Sequence, residues 1–308
     1  MTYTPRAWSG PVWRRLALGR AVVDRVAHRR TDPEWLAKAW VKARILLIDE
    51  RARVLVSDGA EVPSLAFVSA QDAPDGERLF LGEDEGGPYF AVLAALPEVA
   101  GARPAALREV GAALDGYQAA LLAEAVGLAN WHRSYRFSPL TGAPLVVRSG
   151  GWEGEATDGS GLVWPRTNPA VIVLVNDGVA GDDGRCLLGR QAIWDPGRYS
   201  CIAGFVEPGE SAEAAVLREV EEETGIDVAE VTYVASQAWP LPASLMLGFY
   251  AHADSSQVVE VDGVELEDAH WFTRADLLGR GVQPTPVLPP PVSIAYELIA
   301  TWRDEDTG

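Results

Sequence analysis

Residues 204–226 read GFVEPGESAEAAVLREVEEETGI. Pro208 and Gly209 make a turn, Ser211 stands where a side-chain oxygen can cap free amides, and Gly225 closes the run where helices end in a left-handed residue. The segment therefore predicts a helix over residues 212–224, with Val216, Leu217 and Val220 marking its buried side. Glu219 precedes Glu222 and Glu223 by three and four positions, which puts three carboxylates on one stripe. Like charges at that spacing destabilise a helix by roughly 0.2–0.5 kcal/mol per pair, and Arg218 is the only base among the five glutamates from Glu213 to Glu223. Such a stripe is either a solvated acidic face or a cation site. Grouped hard oxygens are what Mg²⁺ or Mn²⁺ takes, above all when a substrate diphosphate supplies further oxygens.

The spacing of the fixed residues separates the two readings. Gly204, Glu210, Arg218-Glu219, Val220, Glu222-Glu223, Gly225 and Ile226 match the Nudix box, G-x5-E-x7-R-E-U-x-E-E-x-G-U with U apolar, at every fixed position. The chain thus resembles the Nudix hydrolases, which cleave a nucleoside diphosphate linked to another moiety with metals held by the box carboxylates. A second stretch narrows the substrate. Residues 236–244, SQAWPLPAS, resemble the SQPWPFPxS signature of the NADH pyrophosphatase branch at six of eight specified positions. Ala238 and Leu241 depart from it, whereas Gln237, Trp239, Pro240, Pro242 and Ser244 keep it. Two prolines around Leu241 stiffen what reads as an extended loop, and a loop already rigid grips a ligand at lower entropic cost.

The same resemblance implies further site residues. Phe205 matches an aromatic that stacks on a base, and Trp164 falls where the family has another aromatic near substrate. Glu265 matches a distal metal-binding glutamate, the Ala203 backbone carbonyl a further metal ligand, and Ala295 a position that touches substrate through its backbone. Alternation around Glu265 reads as a strand, with Leu266 on the opposite face. A zinc ribbon present in many members of this branch lacks its ligands here: Ser138, Thr141, Ala156 and Gly159 stand at the cysteine spacing, so a small β unit without structural zinc is expected. His28, His132, His252 and His270 are scattered and read as structural or surface residues. Cys186 and Cys201 sit in apolar surroundings and read as buried free thiols.

With 308 residues, the chain is long enough for two domains. A net charge of −18, from 26 basic and 44 acidic residues, argues against broad adhesion to nucleic acid, whose affinity rests on neutralising phosphates. Bound metals can still supply the local positive charge that a diphosphate needs. No stretch has the length of a signal peptide or membrane span, so a soluble cytoplasmic protein without a membrane partner is expected.

Residues 1–130 read as an N-terminal α+β domain. Its strands lie near 44–49 and 53–56 about a turn at 49–52, and near 79–82 and 89–93 about an acidic turn, with a helix over 105–130. Residues 131–166 read as a ribbon-like linker module, 167–303 as the catalytic domain and 304–308 as a tail. Within the catalytic domain, strands are expected at 169–175, 186–190, 231–234, 245–252 and 269–272, and a closing helix at 294–302. Strands flanked by helices describe an α/β/α sandwich with a mixed sheet, the Nudix fold that the resemblance implies.

The resemblance further implies hydrolysis of the pyrophosphate of NAD or NADH to a nicotinamide mononucleotide and AMP, by a homodimer. Two or three Mg²⁺ or Mn²⁺ ions would be held by Glu219, Glu223 and Glu265 with Glu222 beside them, and Arg218 would orient a carboxylate from behind. Which glutamate takes the proton of the attacking water stays open. RNA carrying NAD at its 5′ end is a further substrate, accepted without strong preference because no basic track serves the RNA body. Two alternatives remain at this stage: a Nudix enzyme for ADP-ribose or another dinucleotide, and a non-catalytic nucleotide sensor, which degenerate box glutamates would have favoured.

Overall fold

A computed structural model describes residues 11–19, 23–57, 62–261 and 263–304. The first ten residues and all but the first residue of the expected tail lie outside the described residues. Two units emerge: one comprises Met1–Leu16, Asn168–Gln237 and Ser244–Gly308, the other Ala17–Thr167 with Ala238–Ala243.

The first unit is organised by strand Asn168–Asn176, whose run of branched apolar residues is buried on both faces. Alternation sends Ile172 and Leu174 into one cluster with Cys186, Leu188, Ile294, Leu298 and Ile299, and Val171, Val173 and Val175 into another with Leu187, Val216, Val220 and Ile226. Each face is covered by one helix, Ile294–Asp304 on the first and Ala212–Thr224 on the second. The sheet between them runs in the order Ala229–Trp239, Ser244–His252, Asn168–Asn176, Arg185–Arg190, Asp268–Thr273, with Ile202–Phe205 also pairing to Asn168–Asn176. Asn168–Asn176 pairs parallel to Ser244–His252 and antiparallel to Arg185–Arg190 and Ile202–Phe205, which makes the sheet mixed. This is the expected α/β/α sandwich. Both cysteines are free and buried, as expected.

Two local expectations need correction. Glu265 lies in a bend ahead of strand Asp268–Thr273, because edge pairing with Arg185–Arg190 starts only at Asp268. The loop carrying Pro240 and Pro242 is a tight turn, not an extended segment: strands Ala229–Trp239 and Ser244–His252 are sheet neighbours, and their connection closes with the Leu241 amide donating to the Trp239 carbonyl at 2.7 Å.

In the second unit, Arg44–Ile48 pairs parallel to Gly87–Leu93, which turns back on Glu77–Asp84. Arg53–Ser57 joins a different three-stranded sheet with Ser64–Leu65 and Ala102–Ala106. The single helix expected over 105–130 is corrected on that ground. Ala102–Ala106 is drawn into pairing with Arg53–Ser57, a short helix Leu107–Val110 follows, and Asp115 caps a new helix, Gly116–Ser134, by accepting the Tyr117 and Gln118 amides. Residues 131–166 fall within this unit. Their sheet is Leu145–Arg148, Glu153–Ala156 and Leu162–Val163. At the positions matching zinc ligands, hydrogen bonds close the turns: Gly142 N to Ser138 O at 2.9 Å, Gly159 N to Ala156 O at 3.0 Å, and Thr141 Oγ1 to Ser160 Oγ at 3.2 Å. Among the described residues, no helix is long and apolar enough to cross a membrane.

Candidate active site

Helix Ala212–Thr224 begins where the Ser211 hydroxyl accepts the Ala214 amide and ends where Gly225 turns left-handed at φ 68°, its amide on the Glu221 carbonyl. Its core-facing side is built from Ala215, Val216 and Val220, and Glu219 and Glu223 are buried among the same helix positions. Leu217, expected in the core, is exposed instead. Two of the three carboxylates of the stripe therefore lie on the side of the helix that faces the protein, where an unpaired charge is costly. Glu222 stays mostly in solvent.

Burial of Glu219 requires a gap in the adjacent strand, and Gly204 provides it. A Cβ at residue 204 would lie 1.9 Å from Glu219 Cδ and 2.0 and 2.2 Å from its two oxygens. Only glycine leaves room for the carboxylate against strand Ile202–Phe205, which explains the first box position by close approach, not by backbone freedom.

Arg218 makes five hydrogen bonds, four of them to acidic side chains. Nε and Nη2 fork onto Glu210 at 2.8 and 2.9 Å, Nη1 reaches Glu219 at 2.9 Å and Glu222 at 3.0 Å, and Nη2 also donates to the Phe205 carbonyl at 3.0 Å. The hydrogen bond from Arg218 holds the Glu210 carboxyl down at about 2, with help from the Glu207 amide. Hydrogen bonds to Glu210, Glu219 and Glu222 raise the Arg218 guanidinium in turn. Glu219 is pushed above the usual carboxylate range by burial; Arg218 opposes this, and repulsion from Glu222 and Glu265 adds to it.

Glu219 therefore feels the charges of both Glu222 and Glu265. A divalent cation suits that donor set: hard oxygens, one of them nine-tenths buried on a side chain whose compensating charge is a single shared arginine. Among the described residues no three acidic, histidine or cysteine side chains already close into a ligand cluster, and the Arg218 guanidinium bridges Glu219 and Glu222.

The remaining expected residues fall into two sets. In the first unit, Ala203 pairs through its backbone with Ile172, and Phe205 presents an exposed ring. Gln237 is buried and donates from Nε2 to the Val292 carbonyl at 2.8 Å, a brace within the fold. Ser244 opens strand Ser244–His252, and the Ala295 amide donates to Ser293 Oγ at 3.2 Å at the start of the closing helix. In the second unit, Trp164 is half exposed, bonds from Nε1 to Glu153 at 3.3 Å and lines a hollow of about 290 Å³ with Trp152 and Arg30. Trp239, Pro240 and Pro242 also belong to that unit, where the Arg108 guanidinium lies 5.5 Å from the centre of the Trp239 ring. Sequence reasoning gave Gly204 and Glu210 no role in the site, although their fixed spacing from Arg218 and Glu219 was the available signal.

Residues 166–289 match the NUDIX domain, and residues 41–131 match the NADH pyrophosphatase-like rudimentary NUDIX domain. Over 298 residues the chain is 40% identical to the NAD-capped RNA hydrolase NudC of Mycobacterium tuberculosis, covering 92% of this chain and 94% of the relative. Over 196 residues it is 42% identical to the NAD-capped RNA hydrolase NUDT12 of Homo sapiens, covering 60% of this chain and 42% of that protein.

Proposed function

The chain belongs to the Nudix hydrolases, in the group that holds the NADH pyrophosphatase-like and NAD-capped RNA hydrolases, and from that premise we propose that it hydrolyses the pyrophosphate of NAD(H). The products are a nicotinamide mononucleotide and AMP, and the same cleavage of NAD-capped RNA releases nicotinamide mononucleotide and leaves a 5′-monophosphate end on the RNA. The observation that carries this reading is the intact acidic set on helix Ala212–Thr224, seated against Gly204 and tied by Arg218. A sensor that has lost catalysis has no need to keep a buried glutamate in that position.

Glu219, Glu222, Glu223 and Glu265, with the Ala203 carbonyl, are the groups that would hold Mg²⁺ or Mn²⁺. What such an ion would supply there is neutralisation of charge on the pyrophosphate and a lower pKa for an attacking water. Arg218 fixes the orientation of Glu219 and Glu222 and keeps Glu210 ionised, so the carboxylates are set before substrate arrives. Gly204 allows Glu219 to remain close to the strand. The exposed ring of Phe205 is available for stacking on a base of the substrate.

In the same reading the protein acts in the cytoplasm as a homodimer and takes free NADH and NAD⁺ at least as readily as capped RNA, since the net charge of −18 offers little to an RNA body. The deciding experiment is a panel of NADH, NAD⁺, ADP-ribose, a diadenosine polyphosphate and NAD-capped RNA, with and without Mg²⁺ or Mn²⁺, read by product chromatography. AMP and nicotinamide mononucleotide released only with metal is the expected result. Preferential cleavage of ADP-ribose would move the assignment to another Nudix specificity, and tight nucleotide binding without turnover would make the protein a sensor.

A further inference from the structure

Three acids stand close together in the chain, Glu265, Glu267 and Asp268, and their surroundings sort them. The Asp268 carboxylate accepts the Tyr199 hydroxyl and lies 3.0 Å from His270 Nε2. Glu267 is held twice by one residue of the neighbouring strand: its amide donates to the Arg190 carbonyl at 3.0 Å, and its carboxylate accepts from Arg190 Nη1. Glu265 instead lies within electrostatic reach of Glu219, whose carboxyl it helps to push up. Two acids are thus committed to the fold just after the bend that carries the third.

The same bend is held at a second point. Leu266 is buried in the cluster that contains Ile202, from the strand Glu219 lies against, and Val216 and Val220, from the helix that bears Glu219. Gly189 makes its seat: a Cβ there would lie 2.7 Å from Leu266 Cδ1 and 3.0 Å from Ile202 Cδ1. The next residue, Arg190, pairs in register with Asp268. Its side chain is only 11% exposed and reaches from Glu267 to the Trp194 carbonyl, to which Nη2 donates at 3.1 Å. A guanidinium fixed at both ends in this way holds geometry better than a lone surface ion pair.

We propose that Arg190 is a positioning residue for Glu265, gripping residue 267 by main chain and side chain so that the Glu265 carboxylate is set opposite Glu219 for a divalent cation. This inference rests on the metal-dependent reading of the site, and its test separates the two.

Arg190→Met keeps the length of the side chain and removes the donors. Titration of the protein with Mn²⁺, without substrate and read by electron paramagnetic resonance of the free ion, should show binding weakened on the order of tenfold, the lower end of what losing an outer support of a metal site costs. Turnover of NADH should fall at limiting Mn²⁺ and recover most of kcat at saturating Mn²⁺, a split that general loss of structure does not produce. Arg190→Lys, which keeps a charged donor, should lose less affinity, and it carries the test if Arg190→Met does not fold. In a Glu265→Gln background, Arg190→Met should weaken Mn²⁺ binding no further. Hydrogen exchange on a peptide spanning residues 263–270 should quicken in Arg190→Met. Unchanged exchange overturns the grip. Faster exchange with unchanged Mn²⁺ affinity, or an equal loss in the Glu265→Gln background, overturns its role toward Glu265. Wild-type protein that binds no Mn²⁺ overturns the metal site and this role with it. Wild type that binds Mn²⁺ but leaves NADH intact removes only the substrate reading, and the affinities still judge Arg190.

Discussion

Replacing Gly204 by alanine should uncouple activity from stability. The new Cβ would sit 1.9–2.2 Å from the atoms of the Glu219 carboxylate, whereas carbon contacts are comfortable only from about 3.5 Å. The carboxylate must therefore retreat by roughly 1.5 Å, given that contact distance. It is the far end of a flexible side chain, so it yields before the pairing of Ala203 and Gly204 with Ile172 and Val171 does. The cost to the fold is then about one charge-assisted hydrogen bond, the one from Arg218 to Glu219, on the order of 1.5–3 kcal/mol. Partial replacement of that bond by water lowers the expected loss to the bottom of this range, a Tm decrease of several degrees. The cost to the reaction is larger, because misplacing a reacting group by about 1 Å costs on the order of 100-fold in rate. The measurement pairs NADH turnover, followed by chromatography of AMP, with thermal melting of the same samples, and adds titration with Mn²⁺. G204A with wild-type kcat would refute the reasoning, as would a variant that is inactive only because it no longer folds.

Glu223→Gln should lower kcat by orders of magnitude while the melting temperature holds, and retained turnover at saturating Mg²⁺ would take Glu223 out of the metal site. Glu210 is held at about 2 against an ordinary 4.5, so its ion pair with Arg218 contributes stability above pH 4.5 that fades as pH falls toward 2. The Tm gap between wild type and Glu210→Gln should be full at pH 7 and close progressively in acid; a gap independent of pH would show that packing, not charge, is responsible. Glu124 behaves oppositely: burial raises it from 4.5 to about 7, its two oxygens lack hydrogen-bond partners, and the nearest cation, Arg25, stands 3.5 Å away. The folded state is therefore penalised as pH rises from 4.5 to 7, by about 3 kcal/mol in full. Glu124→Gln should gain stability relative to wild type across that window, in denaturant melts at pH 4.5 and pH 8, and equal differences at both pH values would count against it.

What the sequence disclosed follows from the range of the interactions involved. The helix over Ala212–Thr224 was legible to the residue because its determinants, Ser211, the acidic stripe and Gly225, act within a few positions of each other. Strand Asn168–Asn176 was legible because burial on both faces writes an unbroken apolar run. Local signals misled where a distant partner decided: Ala102–Ala106 has alanines that suit a helix, yet the edge of Arg53–Ser57 claims them. Glu265 showed strand-like alternation with Leu266, but pairing to Arg185–Arg190 begins three residues later. The site divides in the same way. Spacing alone put Glu219, Glu222 and Glu223 on one stripe, but not which of them faces inward; that depends on Val216 and Val220 docking against Val171 and Val173. Once the helix is docked, Glu219 is forced against the strand at residue 204, and the glycine there becomes a condition for keeping the charge inside. The Asn130 amide donates to the carbonyls of Pro240 and Pro242 across 110 and 112 positions, and nothing near either partner in the chain announces it. Its physical trace is negative, two prolines with no amides to offer, and such a signal gains meaning only when the neighbour that supplies the donors is known.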